Sequence, residues 1–454
     1  MNSKKGGFMI DKKKIKFEKH IYSNKLFELI LYIIIVYLAL IMPFMQLQMI
    51  LLNKVLIRGM HLQVFILFLT LLYVGVGIYE GKKIVKDKLS VISILFILFI
   101  GLDSFFVFVT LSYKIGYIGY VLNTQFFIFL SIVVLVFPPE IKLEKLKKFL
   151  YLLYVIAFIN IVVAFIQHLF NTRIFPFAKD NAGNILIQFD TFNLSGLVRA
   201  TGTFSSGLKL GIFMLFILSI HIIKFYNSYK KVSFRVKVIN IVFILSLLLS
   251  IYFTYTRNVY FLTLYIFIYL AIFKFLNNKI KDLVLNIYPL AIPIIYILGL
   301  FVVVPIISKI FNNTMFSSQS FLTRVYFWKN QLVDIKSWKI SNILFGKFIV
   351  QIQNPKSKLY NVPELILDNI YLNYISFIGI IGLVFFLLII WMLYRKIYKL
   401  AYKKSALIVL AAFISAIYTI GTLNLLEDIY ILISLFFPSM FIREFLLPED
   451  ENTH

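Results

Sequence analysis

The chain has 454 residues, 61% of them hydrophobic, with a formal net charge of +26 and no cysteine. A mean hydropathy of +0.91 excludes an ordinary soluble domain, and the missing thiols exclude disulfide and thiolate chemistry. In a soluble protein so basic a balance would point to nucleic acid. Here the positive-inside bias and an anionic membrane surface account for it, and no nucleic-acid partner is expected.

Apolar runs long enough to cross a hydrocarbon core as helices recur along the whole length. They are too long and too continuous for outer-membrane strands, so the expected fold is all-α, a polytopic transmembrane bundle over 26–441. A lysine-rich leader, 1–25, precedes it and a short tail, 442–454, follows. The first run lacks a small-residue cleavage pattern and reads as a retained helix.

In chain order the predicted spans are Leu26–Met45, Leu62–Tyr79, Leu89–Thr110, Tyr120–Phe137 and Phe149–Phe170. A first polar segment, 171–207, follows. Then come Leu208–Phe225, Val238–Thr256, Val259–Leu276 and Leu285–Ser308. A second and larger polar segment, 311–368, separates the ninth span from Ile370–Tyr394, Ser405–Gly421 and Asp428–Phe441, about 12 in all.

Basic residues collect in the leader and after the second, fourth, sixth, eighth and tenth spans. The short loops on the other side hold only Lys54, Arg58, Lys114 and Arg257. This alternation predicts a multi-pass protein of the bacterial cytoplasmic membrane with both termini cytoplasmic and both long segments facing outward.

Outside the membrane there is no nucleotide sugar, so a synthetic reaction there must draw on a substrate activated on a lipid. A lipid-linked pyrophosphate sugar needs fork-shaped cationic donors at the headgroup plane. Arg199 lies in RATGTFSSG just before a helix, where Ser205–Ser206 and Lys209 mark a helix start suited to phosphate. The competing reading is an arginine that snorkels to lipid headgroups. Arg257 sits in the tight outer turn TYTR, against the inside bias, and either meets lipid phosphate or faces a shared cavity. Arg324 lies in LTRVYFW, on a predicted amphipathic helix. There Phe321, Val325, Trp328 and Leu332 form the apolar side, Asn330 and Gln331 the polar side, and Ser320 a candidate cap.

Glycosyl transfer with a pyrophosphate leaving group also needs a base for the attacking hydroxyl. Asp368 and Glu364 before the tenth span, Glu427 (beside Asp428) before the twelfth, and Asp190 in the first segment are the candidates. A carboxylate at a helix start is equally explained by the helix dipole. Asp103, about 21 Å along the third crossing, is a functional candidate because membrane carboxylates are costly, though pairing with an outer cation would also explain it. The histidines form no cluster with carboxylates, so no metal or other cofactor is expected.

RATGTFSSG, TYTR, LTRVYFW and DNIYLNYISFIGIIGLVFF, in that order and at those positions, resemble the O-antigen ligase/polymerase superfamily of polytopic membrane proteins. The resemblance implies arginines that bind the carrier pyrophosphate, mapping onto Arg199, Arg257 and Arg324. Ligase members typically carry a His-Asn pair where this chain has Asp368-Asn369. That departure favours a glycosyltransferase that polymerises oligosaccharide repeat units of capsule, exopolysaccharide or O-antigen. The expected partners are a polyprenyl-diphosphate-linked oligosaccharide, membrane lipids, a chain-length regulator and a repeat-unit flippase. The alternatives are a ligase acting on a final acceptor, and a polysaccharide flippase or exporter.

Overall fold

A computed structural model describes residues 20–52, 59–110, 127–141, 143–171, 198–204, 206–276, 280, 282–287, 291, 294, 298, 319–346, 369–401, 407–419 and 432–440. Within these the protein is all-α. The helices are α1 (Ile21–Leu52), α2 (Gly59–Tyr79), α3 (Lys88–Thr110), α4 (Phe127–Val136), α5 (Leu143–Leu169), α6 (Gly207–Ser228), α7 (Phe234–Phe253) and α8 (Arg257–Phe275). They are followed by α9 (Gln319–Ser337), α10 (Ile340–Phe345), α11 (Ile370–Ala401) and α12 (Ile408–Thr419), then a π-helical turn at Leu432–Phe436. Seven helices among the described residues are long and apolar enough to cross a membrane, which makes the chain a multi-pass bundle. Residues 282–287 are helical and run into the start of the expected ninth span at Leu285.

Side chains join the helix ends into two separate groups. At one end, here the leader end, the first-turn amides of Tyr22 and Ser23 on α1 donate to Glu80 after α2, at 2.9 and 3.2 Å. Lys145 at the start of α5 reaches Glu28 at 2.5 Å, the Val85 amide bonds the Val136 carbonyl, and Lys396 on α11 lies 3.8 Å from Asp87. At the other end the close of α5, the segment 198–206, the close of α7 and the start of α8 meet. Ala200 donates to the Phe253 carbonyl at 3.0 Å, and Gly207 lies against Thr254 and Thr256. The alternation predicted from charge requires this grouping of ends.

The segment 198–206 follows a course its polarity did not foretell. An outward-facing polar segment leading into a helix start was expected there, and residues 200–204 are buried along α5. Gln167 accepts from the Thr201 and Gly202 amides, both at 2.9 Å, and Asn160 accepts from the Thr203 amide at 2.7 Å. Asn160 stands about 13 Å from the end of α5, so the loop reaches well into the bundle. Backbone at that depth persists only if its amides are satisfied, and two side-chain carbonyls seven residues apart on one helix face do so. Gly202, at φ +58°, passes so near Asn160 that a Cβ would stand 2.1 Å from its oxygen.

The tenth span was expected to be one straight helix. Instead α11 breaks at Gly379, where φ is +69° and ψ −175°. Tyr374 and Phe386, twelve positions apart, stack with ring centroids 4.4 Å apart. In a straight helix they would be about 18 Å apart, so residues 370–378 fold back against the rest. The cause is a backbone approach between two glycines: a Cβ on Gly379 would meet the Leu344 carbonyl oxygen at 2.2 Å, and one on Gly346 the Phe377 oxygen at 2.3 Å. The half-helix is buried on every side. Asn369 caps it by accepting from the Tyr371 and Leu372 amides, and Tyr371 donates to the Tyr418 carbonyl on α12.

The amphipathic helix expected around Arg324 is present as α9. Its buried side includes Trp328, Leu332, Ile335 and also Gln331, which donates to Ser376 at 2.6 Å. Gln331 therefore leaves the polar side assigned to it, because Ser376 offers a buried partner, while Asn330 is exposed. Helix α9 begins at Gln319, so Ser320 already lies within its first turn rather than capping it.

Candidate substrate site

Arg199 and Arg257, far apart in sequence, come to the same end of the bundle because the segment 198–206 hydrogen-bonds to the end of α7. Arg199 is half-buried and lies within electrostatic reach of the Tyr260 hydroxyl. Arg257 opens α8, is exposed, and has no carboxylate partner among the described residues. Lys209 stands in the first turn of α6, half-buried. The helix start expected near Ser205–Ser206 is at Gly207, with Ser206 as cap accepting from the Lys209 amide at 3.3 Å. One first-turn amide is thus already partnered, and the site's positive character rests on the side chains and the remaining helix dipole.

An aromatic group not foreseen from the sequence borders these cations. Tyr252 and Tyr260 lie nearly parallel, 18° apart with centroids 6.3 Å apart, and Tyr255 lies 5.7 Å from Tyr252. The Tyr260 hydroxyl donates to the Tyr252 carbonyl at 2.5 Å. His168, in the last turn of α5, stacks on Phe253 at 3.9 Å and bonds the Tyr255 hydroxyl through Nδ1 at 3.2 Å. Tyr255 takes φ +46°, a left-handed conformation uncommon for a bulky side chain. Burial, and secondarily Tyr252, pushes its phenol above the ordinary value, so it stays a neutral hydrogen-bonding group. The sequence signal was the density of tyrosines around TYTR; their common seat on His168 had none.

The chain matches no family model, no curated protein and no solved structure. Arg324 lies on α9 and Asp103 on α3, but their side chains fall outside the described set. Asp368, Glu364, Glu427 and Asp190 lie outside the described residues altogether. Asn369, the immediate neighbour of Asp368, is fully buried at the start of the folded-back half-helix. Among the described residues no group of three or more His, Asp or Glu side chains is arranged to hold a metal ion. The apolar cleft lined by Tyr265, Tyr269, Val284 and Leu285 lies farther along α8 and offers no charged group.

The arrangement suits an anion with an attached polar, ring-shaped group. Two guanidiniums and a lysine supply charge-assisted donors, and the tyrosines supply apolar faces with hydroxyl edges.

Proposed function

We propose that this chain is a membrane glycosyltransferase that polymerises lipid-pyrophosphate-linked oligosaccharide repeat units into surface polysaccharide at the outer face of the membrane. The observation that carries the reading is the convergence of Arg199 and Arg257 at the end of the bundle opposite the basic leader. The positive-inside bias makes the leader end cytoplasmic and this end extracytoplasmic. There the diphosphate of a polyprenyl carrier would lie at the depth of the arginines, with its tail in the lipid alongside the bundle.

In the proposed reaction a hydroxyl of the acceptor repeat unit attacks the anomeric carbon of the donor glycan. The bond from that carbon to the diphosphate oxygen breaks, and polyprenyl diphosphate departs with the electron pair. A carboxylate takes the hydroxyl proton, with Asp368, Glu364 and Glu427 as candidates and Asp190 in reserve. Arg199, Arg257 and Arg324 neutralise charge as it develops on the leaving diphosphate. No metal is required in this scheme, and its partners are a repeat-unit flippase that delivers substrate and a chain-length regulator that limits product.

Deleting the gene tests the reading. Lipid-linked single repeat units, or one unit on the final acceptor, should remain and long chains disappear. Full-length lipid-linked chains left unattached would instead mean that a ligase had been lost. Topology is tested separately: reporters after Lys86 or Lys231 should be cytoplasmic, and tags near Ala182 or Lys356 should be reachable from outside intact cells. Inaccessibility of both tags would reverse the assignment of faces.

A further inference from the structure

We propose that Tyr252, Tyr255 and Tyr260 form an aromatic platform that seats the sugar next to the diphosphate of a lipid-linked glycan, with His168 as its positioning residue. The inference deepens the glycosyltransferase reading and rests on it.

Tyrosines are common where helices leave a membrane, each one pointing independently into the headgroup layer. These three are tied to one another and to the backbone. Tyr260 is held by its bond to the Tyr252 carbonyl, and its ring lies nearly parallel to that of Tyr252. Tyr255 adopts a left-handed backbone with its hydroxyl held by His168. His168 is itself stacked on Phe253 at 12° between planes. An aromatic side chain that only anchors a helix in lipid needs neither an uncommon backbone conformation nor a half-buried histidine partner. A bulky residue kept in that region is held there by its surroundings, and such positions cluster at ligand sites.

The chemistry of the platform names its ligand. Tyr252 is 55% exposed, so a ring remains open for contact. The electron-rich ring face complements the weakly positive C–H bonds on the apolar side of a pyranose, and the neighbouring Tyr255 ring, its centroid 5.7 Å away, carries a hydroxyl held by His168. Arg257 follows Tyr255 by two residues, and Arg199 precedes Ala200, whose amide bonds the Phe253 carbonyl next to Tyr252. A diphosphate held by these arginines would carry its sugar within reach of the rings.

The test uses the purified full-length chain and two probes, undecaprenyl diphosphate and the same lipid bearing one N-acetylglucosamine. Arg257→Ala should weaken both probes. Tyr252→Ala should weaken only the sugar-bearing probe, by about ten-fold, whereas Tyr252→Trp should retain its affinity. His168→Phe keeps the stack on Phe253 but removes the hydrogen bond, and should also weaken only the sugar-bearing probe. Tyr255→Phe should do the same, and the His168/Tyr255 double variant should be no worse than either single one. Equal loss of both probes in the tyrosine variants, or no loss of either, would overturn the platform while leaving the arginine site intact. If the bare diphosphate shows no arginine-dependent binding, the glycosyltransferase reading fails and the platform fails with it.

Discussion

The two ends of the bundle satisfy their polar groups in opposite ways. At the leader end charges meet charges or strong acceptors: Lys145 pairs with Glu28, Lys396 with Asp87, and Glu80 closes the start of α1. Lys82, nearly buried, donates to the Tyr73 hydroxyl at 3.0 Å and lies over the Tyr73 and Phe137 rings. At the arginine end the backbone is satisfied by neutral amides, Asn160 and Gln167, and the exposed Arg257 has no described carboxylate to neutralise it. An exposed cation with no carboxylate beside it keeps its charge available to a ligand, whereas one paired with a carboxylate, or buried against rings and a hydroxyl as Lys82 is, is committed to holding the fold. The leader end should therefore respond to mutation in stability, and the arginine end in activity.

The largest effects follow from that division. Arg199→Lys, Arg257→Lys and Arg324→Lys should each lower polymer synthesis by roughly a hundred-fold or more, nearly as much as Ala, because a point charge cannot replace a bidentate fork. Lys145→Ala should leave synthesis near normal at matched protein level and lower stability by about 1 kcal/mol or less, as for a largely solvated pair. The measurement is polymer length and rate in membranes supplied with purified lipid-linked repeat unit. Near-normal rates in all three arginine variants would erase the difference between the two ends. In the same assay Asp368→Asn should cut synthesis steeply while lipid-linked substrate still binds; normal synthesis would move the base to Glu364, Glu427 or Asp190.

Next in size is the fold-back in α11. Gly379→Ala meets the Leu344 carbonyl and a left-handed φ together, and about 3 kcal/mol of destabilisation is expected. Gly75→Ala on α2, where nothing lies within 4 Å of the added Cβ, should cost much less. Thermal unfolding in detergent compares them, and equal midpoints would mean that α11 runs straight through Gly379.

These positions also mark how far the sequence could be read. The all-α, multi-pass character followed from the apolar runs, since length and hydropathy are set residue by residue. Against about 12 expected spans, seven helices among the described residues are long and apolar enough to cross a membrane. The placement of Arg199 and Arg257 at one end of the bundle followed from alternation alone. Asn160 and Gln167 were visible as two polar residues on one face of an apolar helix, a signal that a membrane helix rarely carries without cause. The break at Gly379 was not legible, because glycine is frequent in intact membrane helices and only the opposing Gly346 turns it into a corner. Tyr255 was illegible for the converse reason: left-handed backbone is expected of glycine or asparagine, and His168, which holds the side chain, is distant in sequence. Gln167→Leu sharpens the point. It strips the acceptor from two buried amides, and about 1–3 kcal/mol per group should be lost, together with synthesis, because the loop carrying Arg199 would shift.

The smallest expected effect belongs to the leader end and depends on pH. Burial opposes ionisation of Glu80, but the Ser23 hydroxyl, the amides of Tyr22 and Ser23 and the nearby His20 outweigh it. The net result holds the carboxyl below its ordinary value of 4.5. A carboxylate that is more acidic in the folded chain contributes its stabilisation fully above the unfolded pKa. That contribution is lost as pH falls from about 4.5 through the folded value. Wild-type protein should therefore unfold at a higher temperature than Glu80→Gln at pH 7, and the gap should close on acidification. Asp87 is also held low, by Ser90 and Lys396 against its burial, so it shifts both proteins alike and cancels from the difference. Synthesis measured at pH 7 should be unaffected by Glu80→Gln at matched protein level, since Glu80 lies at the opposite end from the arginines. A gap that stays constant down to pH 3 would mean that Glu80 caps α1 equally well as a neutral acid, and the leader end would then owe less to charge than its geometry implies.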